Sequence, residues 1–280
     1  MKKILLNLCP TGIVPTKTMN DAVPLSPDEI AHDVYECYQH GVQMVHIHAR
    51  DEYEENTMDK ERYGAIISNI REKCPDIIIC VSLSGRVLNT YESRSDPLNL
   101  QGGLKPDMGS LTLSSMNFVT NASVNSPKMI MDLLKTMNEE GIKPELEVFD
   151  VGMVNYAKYL IQKGLLKPPY YFNIILGNLF SAQNNPADLS SIIQALPEQS
   201  YYSIGGIGNY QLGSNIAGIL YADGIRIGLE DNLYYDSQRK QKATNLSLLT
   251  RILSICELYE RPLYTCQELR ELLNIPLKTL

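Results

Sequence analysis

His46 and His48 are separated by one residue within the apolar segment Gln43–Ala49, in a chain with only four histidines. Residues i and i+2 of a β-strand point to the same face, so the two imidazoles project together. If that face is the interior of a barrel, they converge at its carboxyl-terminal mouth, where such barrels carry active sites. Together they provide part of a zinc site. The competing interpretation is a pair of hydrogen-bonded structural histidines.

A carboxylate near the end of the chain can complete this site. Glu230 and Asp231 follow the apolar segment Gly224–Gly228, which also contains Arg226. Barrel closure places the last strand beside the first, with the histidine strand next, so Glu230 can lie at the same mouth. Two histidines and one carboxylate leave a coordination position open, which is typical of catalytic zinc. A purely structural Arg226–Asp231 ion pair at the rim is the alternative.

Eight short segments rich in Ile, Val and Tyr alternate with helical segments and could carry these residues. They are Ile4–Cys9, Met44–Ala49, Ile77–Leu83, Ser110–Leu113, Leu146–Phe149, Tyr171–Leu176, Tyr201–Ile204 and Gly224–Gly228. Alternation of strand and helix predicts a parallel sheet with right-handed crossovers. Eight such units in this length favour an α/β fold of the closed (β/α)8 TIM-barrel type over an open doubly wound sheet.

Two capping boxes mark helix starts. Ser26 and Glu29 form the first, with Pro27 at the first helical position. Thr265 and Glu268 form the second, after the last strand and its helix. The second box predicts a short C-terminal helical extension outside the barrel repeat.

The composition fits one barrel domain over residues 1–280. The chain has 280 residues, of which 44% are hydrophobic, and this class of barrel typically uses about 250. The net charge of −7, with scattered basic residues, disfavours nucleic acid or a membrane surface as a partner. No segment is long and apolar enough to span a bilayer. The six cysteines form no C-x-x-C pair, which indicates reduced thiols, and we expect a cytoplasmic protein.

Further polar or small residues lie at strand ends, where a barrel keeps its site. They are Ser82, Gly85, Ser110, Glu145 and Glu147. Each could instead satisfy a backbone group, so singly they are weak evidence. The glycine-rich segment Gly205–Gly208 follows the seventh strand, where barrels often bind phosphate, but it is equally typical of a plain turn.

In these segments the chain resembles the β-keto acid cleavage enzyme family. The matching segments are His46–Arg50, Pro144–Phe149, Gly152–Val154, Gly205–Gly208 and Ile225–Asn232, with Thr11-Gly12 and Ser26-Pro27 in addition. The resemblance runs nearly end to end. The H-x-H pair and the R-x-G-x-E-D-N segment are specific in combination, although neither is specific alone.

The resemblance implies a Claisen-type exchange, in which a β-keto acid and acetyl-CoA give acetoacetate and a new acyl-CoA. It also implies Zn²⁺ held by the residues that match the family's ligands, His46, His48 and Glu230. A homo-oligomer, such as a tetramer, is expected on the same ground.

By the same resemblance, Asp231 is the expected base, assisted by Arg226 and Glu147. The residues expected around the substrate are Ser82, Gly85 and Ser110. The family often has Thr where this chain has Ser110, and that difference keeps the hydroxyl.

One position departs from the pattern. Family members that act on an amino-bearing keto acid carry an acidic residue after the first strand, where this chain has Val14 between Ile13 and Pro15. An ammonium group buried there would lack a counter-charge. We therefore expect a different β-keto acid, with an uncharged tail as the first choice, although Lys17 or Arg86 would favour an anionic tail if either faces the site.

Two other functions remain open from the residues alone. One is a metal-dependent hydrolase on the same barrel. However, H-x-H hydrolases of this fold carry the motif on the first strand, with more histidines later, and this chain has none there. The other is a non-catalytic, metal-containing binding barrel, for which charged residues at the mouth would be unnecessary.

Overall fold

Eight parallel strands close into a barrel in this computed structural model, which describes residues 2–278. They are β1 (Leu5–Leu8), β2 (Met44–Ile47), β3 (Ile78–Val81), β4 (Met108–Thr112), β5 (Lys143–Val148), β6 (Tyr170–Leu176), β7 (Ser200–Gly206) and β8 (Gly224–Ile227). β8 pairs with β1, and the other neighbours follow chain order. The predicted (β/α)8 barrel is confirmed, and an open sheet is excluded. Residues 1, 279 and 280 of the expected domain lie outside the described residues.

Helices surround the barrel. They are α1 (Pro27–Gln39), α2 (Lys60–Lys73), α3 (Tyr91–Ser95), α4 (Pro127–Glu140), α5 (Val151–Gln162), α6 (Pro186–Ala195), α7 (Gln211–Tyr221) and α8 (Asn245–Leu258), with α9 (Cys266–Leu273) after the repeat. Both predicted capping boxes are present, at Ser26 and Thr265. The crossover after β3 is irregular, because it contains the five-residue α3 and two 3₁₀ turns. Within residues 2–278, no helix has the length and apolar character needed to cross a membrane.

The C-terminal extension closes the amino-terminal end of the barrel. Leu269 and Leu273 of α9, and Ile275 after it, belong to a buried apolar cluster with inward-facing barrel residues. The barrel members include the first residues of four strands, which are Leu5, Met44, Ile78 and Met108. Apolar side chains thus exclude water from this end of the barrel. The candidate site residues lie towards the opposite, carboxyl-terminal end.

Above this apolar floor the barrel interior is polar, although branched apolar residues usually dominate such interiors. Asn7 on β1 donates a hydrogen bond of 2.7 Å across the barrel to Glu145 on β5. On β6, Asn173 donates to the same carboxylate at 2.6 Å, and the Tyr171 hydroxyl lies 2.8 Å from Ser203 Oγ on β7. Buried polar groups persist only when they are paired. This layer is therefore a connected network that supports what lies above it.

A buried ion pair fastens the extension to the barrel. Asp107, immediately before β4, accepts hydrogen bonds of 3.0 Å from both terminal nitrogens of Arg270 on α9. It also accepts a hydrogen bond of 3.3 Å from Arg71 and one of 2.9 Å from the Ile79 backbone. The three charged side chains are almost completely buried, so each guanidinium depends on this one carboxylate.

Removing that carboxylate should destabilise the fold strongly. We expect Asp107→Ala to lower the free energy of unfolding by about 3–5 kcal/mol, because two buried guanidinium groups lose their counter-charge. Asp132→Ala is the matched control, since it removes only the exposed Lys128 pair and should cost less than about 1 kcal/mol. Urea denaturation of both variants measures the difference. Equal losses would show that the ion pair does not hold the extension in place.

Candidate active site

β2 brings two imidazoles to one point in the barrel interior. His46 lies on β2 and His48 just after it; both are buried, and their Nε2 atoms are 3.3 Å apart. His46 Nδ1 lies 2.6 Å from Glu145 Oε2. Since a carboxylate accepts, this Nδ1 donates, and Nε2 faces His48. Such a carboxylate partner fixes the orientation and tautomer of a metal-binding histidine.

Glu230 joins the pair from the segment after β8. Its Oε1 is 3.4 Å from His48 Nε2, and its buried Oε2 has no hydrogen-bond partner within the described part of the chain. The potential ligand atoms of His46, His48 and Glu230 all lie within 4.8 Å of one another. Gly12 permits this approach, because its φ is +75° and an added Cβ would lie 2.6 Å from Glu230 Cγ.

The local charges favour a cation between these three residues. Burial disfavours a charged imidazole, yet the Glu145 and Glu230 carboxylates outweigh it and raise the pKa of His46 to about 9. Burial also opposes ionisation of Glu230, but Arg226 and the imidazoles hold its pKa well below the ordinary value. Two imidazole nitrogens and one ionised carboxylate, whose Oε2 has no other partner among the described residues, fit a divalent metal with an open coordination position.

Glu145 supports the site from below, a role that the sequence reasoning did not assign. Its Oε1 accepts from Asn7 and Asn173, and its Oε2 accepts from His46 and the Cys80 thiol. His46, Cys80 and Glu145 also lie close enough for a metal, but these hydrogen bonds already occupy both carboxylate oxygens. The available signal was a polar residue at an inward position of an otherwise apolar strand, as at Asn7 and Asn173.

Arg226 is the centre of a second group of charges. Its Nε donates to Asp231 Oδ2 at 2.9 Å, its Nη2 donates to Glu230 Oε1 at 2.6 Å, and its Nη1 lies 3.5 Å from Glu147 Oε1 across the barrel. Arg226 and Asp231 are both buried, so the pair is not a solvated ion pair at the rim. Gly205 makes room for it, because a Cβ there would lie 2.9 Å from Arg226 Cβ.

Asp231 and Glu147 contact Arg226 but are not among the three potential metal ligands. The pKa values of both carboxyl groups are shifted from those of exposed acids. Burial raises the pKa of Asp231, assisted by the charge of Glu230, although Arg226 opposes the shift. Burial likewise raises the pKa of Glu147, whose Oε2 accepts 2.7 Å from the Thr112 hydroxyl. Burial therefore outweighs the effect of the guanidinium on the pKa of Asp231. Both groups are stronger proton acceptors than exposed carboxylates.

A cavity of about 590 Å³ opens above these groups at the carboxyl-terminal end of the barrel. His46, His48, Arg226, Glu230 and Asp231 all line it. Its walls come from the segments that follow the strands, and their apolar and aromatic members include Ile13, Met116, Phe118, Phe149, Tyr210 and Tyr234. A charged floor under apolar walls is typical of a small-molecule site.

The residues predicted around the substrate fall into two groups. Ser82 and Val14 line the cavity, as does the predicted assistant Glu147. Ser110 and Gly85 are not among the lining residues: Ser110 Oγ is buried and accepts a 3.1 Å hydrogen bond from the Leu83 backbone, and an added Cβ at Gly85 would lie 2.6 Å from Arg94 Nη1. These two residues shape the turn after β3 on which Ser82 lies.

Comparison with known proteins shows the family and related folds. The sequence profile of the β-keto acid cleavage enzyme family matches residues 3–275. A solved ternary complex of ObcA with a C4-CoA adduct and oxalate superposes with a TM-score of 0.79 at 18% identity, covering 91% of this chain and 68% of that one. At that identity the structural likeness concerns the fold.

Two relatives are similar over nearly their whole lengths. A 3-keto-5-aminohexanoate cleavage enzyme of Fusobacterium nucleatum is 34% identical and covers 98% of this chain and 99% of its own length. A 3-oxoadipate:acetyl-CoA acetyltransferase of Cupriavidus necator is 30% identical and covers 97% and 95%, respectively. With a family profile that spans almost every residue, this chain belongs to the β-keto acid cleavage enzyme family.

Proposed function

We propose that this enzyme converts a β-keto acid and acetyl-CoA into acetoacetate and a new acyl-CoA. The keto acid loses a proton at C2, and the carbanion bonds to the acetyl carbonyl carbon as CoA thiolate leaves. The thiolate then attacks the original keto carbon, the C2–C3 bond breaks, and C2 regains a proton. The observation that carries the proposal is the buried group His46, His48 and Glu230 beside an Arg226-bound Asp231 at the cavity floor.

We assign Zn²⁺ to His46, His48 and Glu230. Nitrogen ligands suit zinc, whereas Mg²⁺ and Ca²⁺ prefer an all-oxygen environment. When bound, the metal supplies positive charge that polarises the keto oxygen and so acidifies C2. Glu145 holds His46 through Nδ1, which keeps Nε2 available as a ligand.

Asp231 is the proposed base. It lines the cavity, and its Oδ2 is held at 2.9 Å by Arg226 Nε, so the carboxylate has a fixed direction. Its other oxygen, Oδ1, has only a 3.4 Å contact with Arg226 and is the one free to take a proton from C2. A general base must lie within hydrogen-bond reach of the proton it removes. Glu147, on the far side of Arg226, is the second candidate for moving a proton.

Binding of the keto acid is assigned to the turn after β3 and the segment after β1. Ser82 is proposed to contact the substrate directly, and Ser110 and Gly85 act by holding that turn in place. Val14, which lines the cavity and is 47% exposed, is proposed to contact the substrate tail. Its apolar surface disfavours a cationic tail.

The acyl acceptor and the setting follow from the relatives and the cysteines. The Cupriavidus relative is named for transfer involving acetyl-CoA, and we extend that co-substrate to this chain. All six cysteines fall within the described residues and are buried and unpaired. They fit a reducing compartment such as the cytoplasm. A homo-oligomer is carried over from the family resemblance as part of the proposal.

Exchange of acyl groups is the direct test of this function. We expect the enzyme, a β-keto acid and [acetyl-¹³C]acetyl-CoA to give labelled acetoacetate and an acyl-CoA whose acyl group comes from the keto acid, both measured by mass spectrometry. The label enters acetoacetate because the carbanion bonds to the acetyl carbon. Cleavage of the keto acid without acetyl-CoA would instead indicate hydrolysis.

Removal of one ligand should release the metal. We expect His48→Ala to bind Zn²⁺ at least about 10²-fold more weakly, because even outer partners of metal ligands are worth 10–100-fold. His32→Ala is the control, since that histidine is exposed on α1. Metal content after dialysis against a chelator, with circular dichroism to verify folding, is the measurement. Equal metal in both variants would remove His48 from the site.

Asp231→Asn should separate binding from chemistry. The change is nearly isosteric and leaves the three ligands intact, so zinc content should stay at the wild-type level. The value of kcat should fall by about 10²-fold or more, the usual scale for loss of a general base. Single-turnover kinetics on metal-loaded protein provides the measurement. If Glu147→Gln causes this loss and Asp231→Asn does not, Glu147 is the base.

A further inference from the structure

Arg86 lies in the wall of the active-site cavity, where two protein contacts hold its side chain. It follows β3, lines the cavity and is half-buried. Its guanidinium carbon lies 3.9 Å from the centre of the Phe118 ring, so the group is packed against an aromatic face. Its Nε donates 3.1 Å to Asn121 Oδ1. One aromatic face and one hydrogen bond therefore fix the orientation of the guanidinium.

Among the described residues, the two terminal nitrogens of Arg86 have no acceptor. Across residues 2–278, the Nε bond to Asn121 is the only side-chain hydrogen bond that Arg86 makes, and no carboxylate lies within 4.0 Å of it. Burial lowers the pKa of Arg86, but a guanidinium stays charged in proteins. A half-buried guanidinium with a fixed orientation and two unpaired terminal nitrogens matches the geometry of a carboxylate or a phosphate.

The other cations near the cavity differ from Arg86. Lys17 donates to Glu29 at 2.7 Å and to the Asp21 backbone at 3.3 Å, and it does not line the cavity. Arg239 does line the cavity, but it is exposed and its Nε donates to Asn209. Water therefore screens Arg239, and Glu29 neutralises Lys17. Arg86 is the cation best placed to select a ligand.

We propose that Arg86 binds a carboxylate at the tail of the substrate, so that the preferred substrate is a β-keto dicarboxylic acid. This inference rests on the proposed function. It differs from the uncharged tail that the sequence favoured, because the sequence could not show which way Arg86 points.

The same donors could meet a phosphate of CoA, but position favours the keto acid. Arg86 and Glu230 line the same cavity. We expect a short keto acid held at Glu230 to reach Arg86 within this cavity. The phosphates of CoA are separated from the reacting thioester by the whole pantetheine arm and would lie farther out.

Substrates that differ only in their tails test the inference. Wild-type enzyme should prefer 3-oxoadipate over 3-oxohexanoate, and both over 3-keto-5-aminohexanoate, each assayed with acetyl-CoA. Arg86→Gln should lower kcat/KM for 3-oxoadipate by about 10- to 100-fold, the loss expected for charge-assisted hydrogen bonds. Its effect on 3-oxohexanoate should be below about threefold. Arg86→Lys should be intermediate, because it keeps the charge and loses the fork, and Lys17→Gln should change no preference.

Three outcomes would overturn the inference. Equal losses on 3-oxoadipate and 3-oxohexanoate would mean that Arg86 supports the fold or holds the carboxylate common to both. A raised KM for acetyl-CoA with unchanged tail preference would mean that it binds phosphate. A wild-type preference for the neutral tail would show that the guanidinium does not select substrate.

Calorimetric binding of adipate and hexanoate separates this inference from the proposed function. Adipate should bind more tightly to wild type, and Arg86→Gln should abolish the difference. If adipate shows this dependence while no keto acid is exchanged with acetyl-CoA, the proposed function and the substrate assignment both fail, and only the carboxylate-binding role of Arg86 stands. If exchange occurs but Arg86→Gln does not weaken the binding of adipate, the inference alone is wrong.

Discussion

The constraint on which this structure depends is the burial of four carboxylates inside one barrel. Glu145, Glu147, Glu230 and Asp231 all lie in the interior or at its mouth, with Arg226 as the guanidinium that contacts three of them. Removing charges from water is unfavourable unless each is paired and hydrogen-bonded. The excess negative charge can be balanced by a cation at the histidine pair. The candidate metal site and the Arg226 group are therefore parts of one electrostatic arrangement.

That arrangement restricts the rest of the fold. The charged layer needs a polar layer beneath it, supplied by Asn7 and Asn173, and a dry floor below that, supplied by α9. Glycines are needed where the backbone approaches the charged side chains, at Gly12 beside Glu230 and Gly205 beside Arg226. Gly205 belongs to the glycine-rich segment that the sequence suggested was either a phosphate site or a plain turn. Neither interpretation included close packing against Arg226. Here the missing side chain provides room for a guanidinium.

The face of the barrel towards which each strand residue points was predictable from sequence, whereas the hydrogen-bond partners of individual side chains were not. Alternation on β2 determines that His46 and His48 share a face, and closure of the barrel brings Glu230 towards them. The eight strands could be located because buried parallel strands are short apolar segments. By contrast, Ser110 looks like a substrate contact in sequence, but its hydroxyl is used by the Leu83 backbone. Glu145 was ambiguous until its four partners were placed, because spacing gives the face of a strand and not the contact across a barrel.

Substrate choice is the property least accessible to residue-by-residue reasoning, because it depends on pairs of residues from different loops. Val14 alone leads to the expectation that a cationic tail is disfavoured, and it does not distinguish neutral from anionic tails. Arg86 and Lys17 are equivalent as sequence letters. Lys17 is neutralised by Glu29, whereas Arg86 is stacked on Phe118 and its terminal donors have no partner within residues 2–278. In our proposal, the loops after β1, β3 and β4 select the substrate tail, because exposed or half-buried charges there can be exchanged at less cost than the buried charges at the cavity floor.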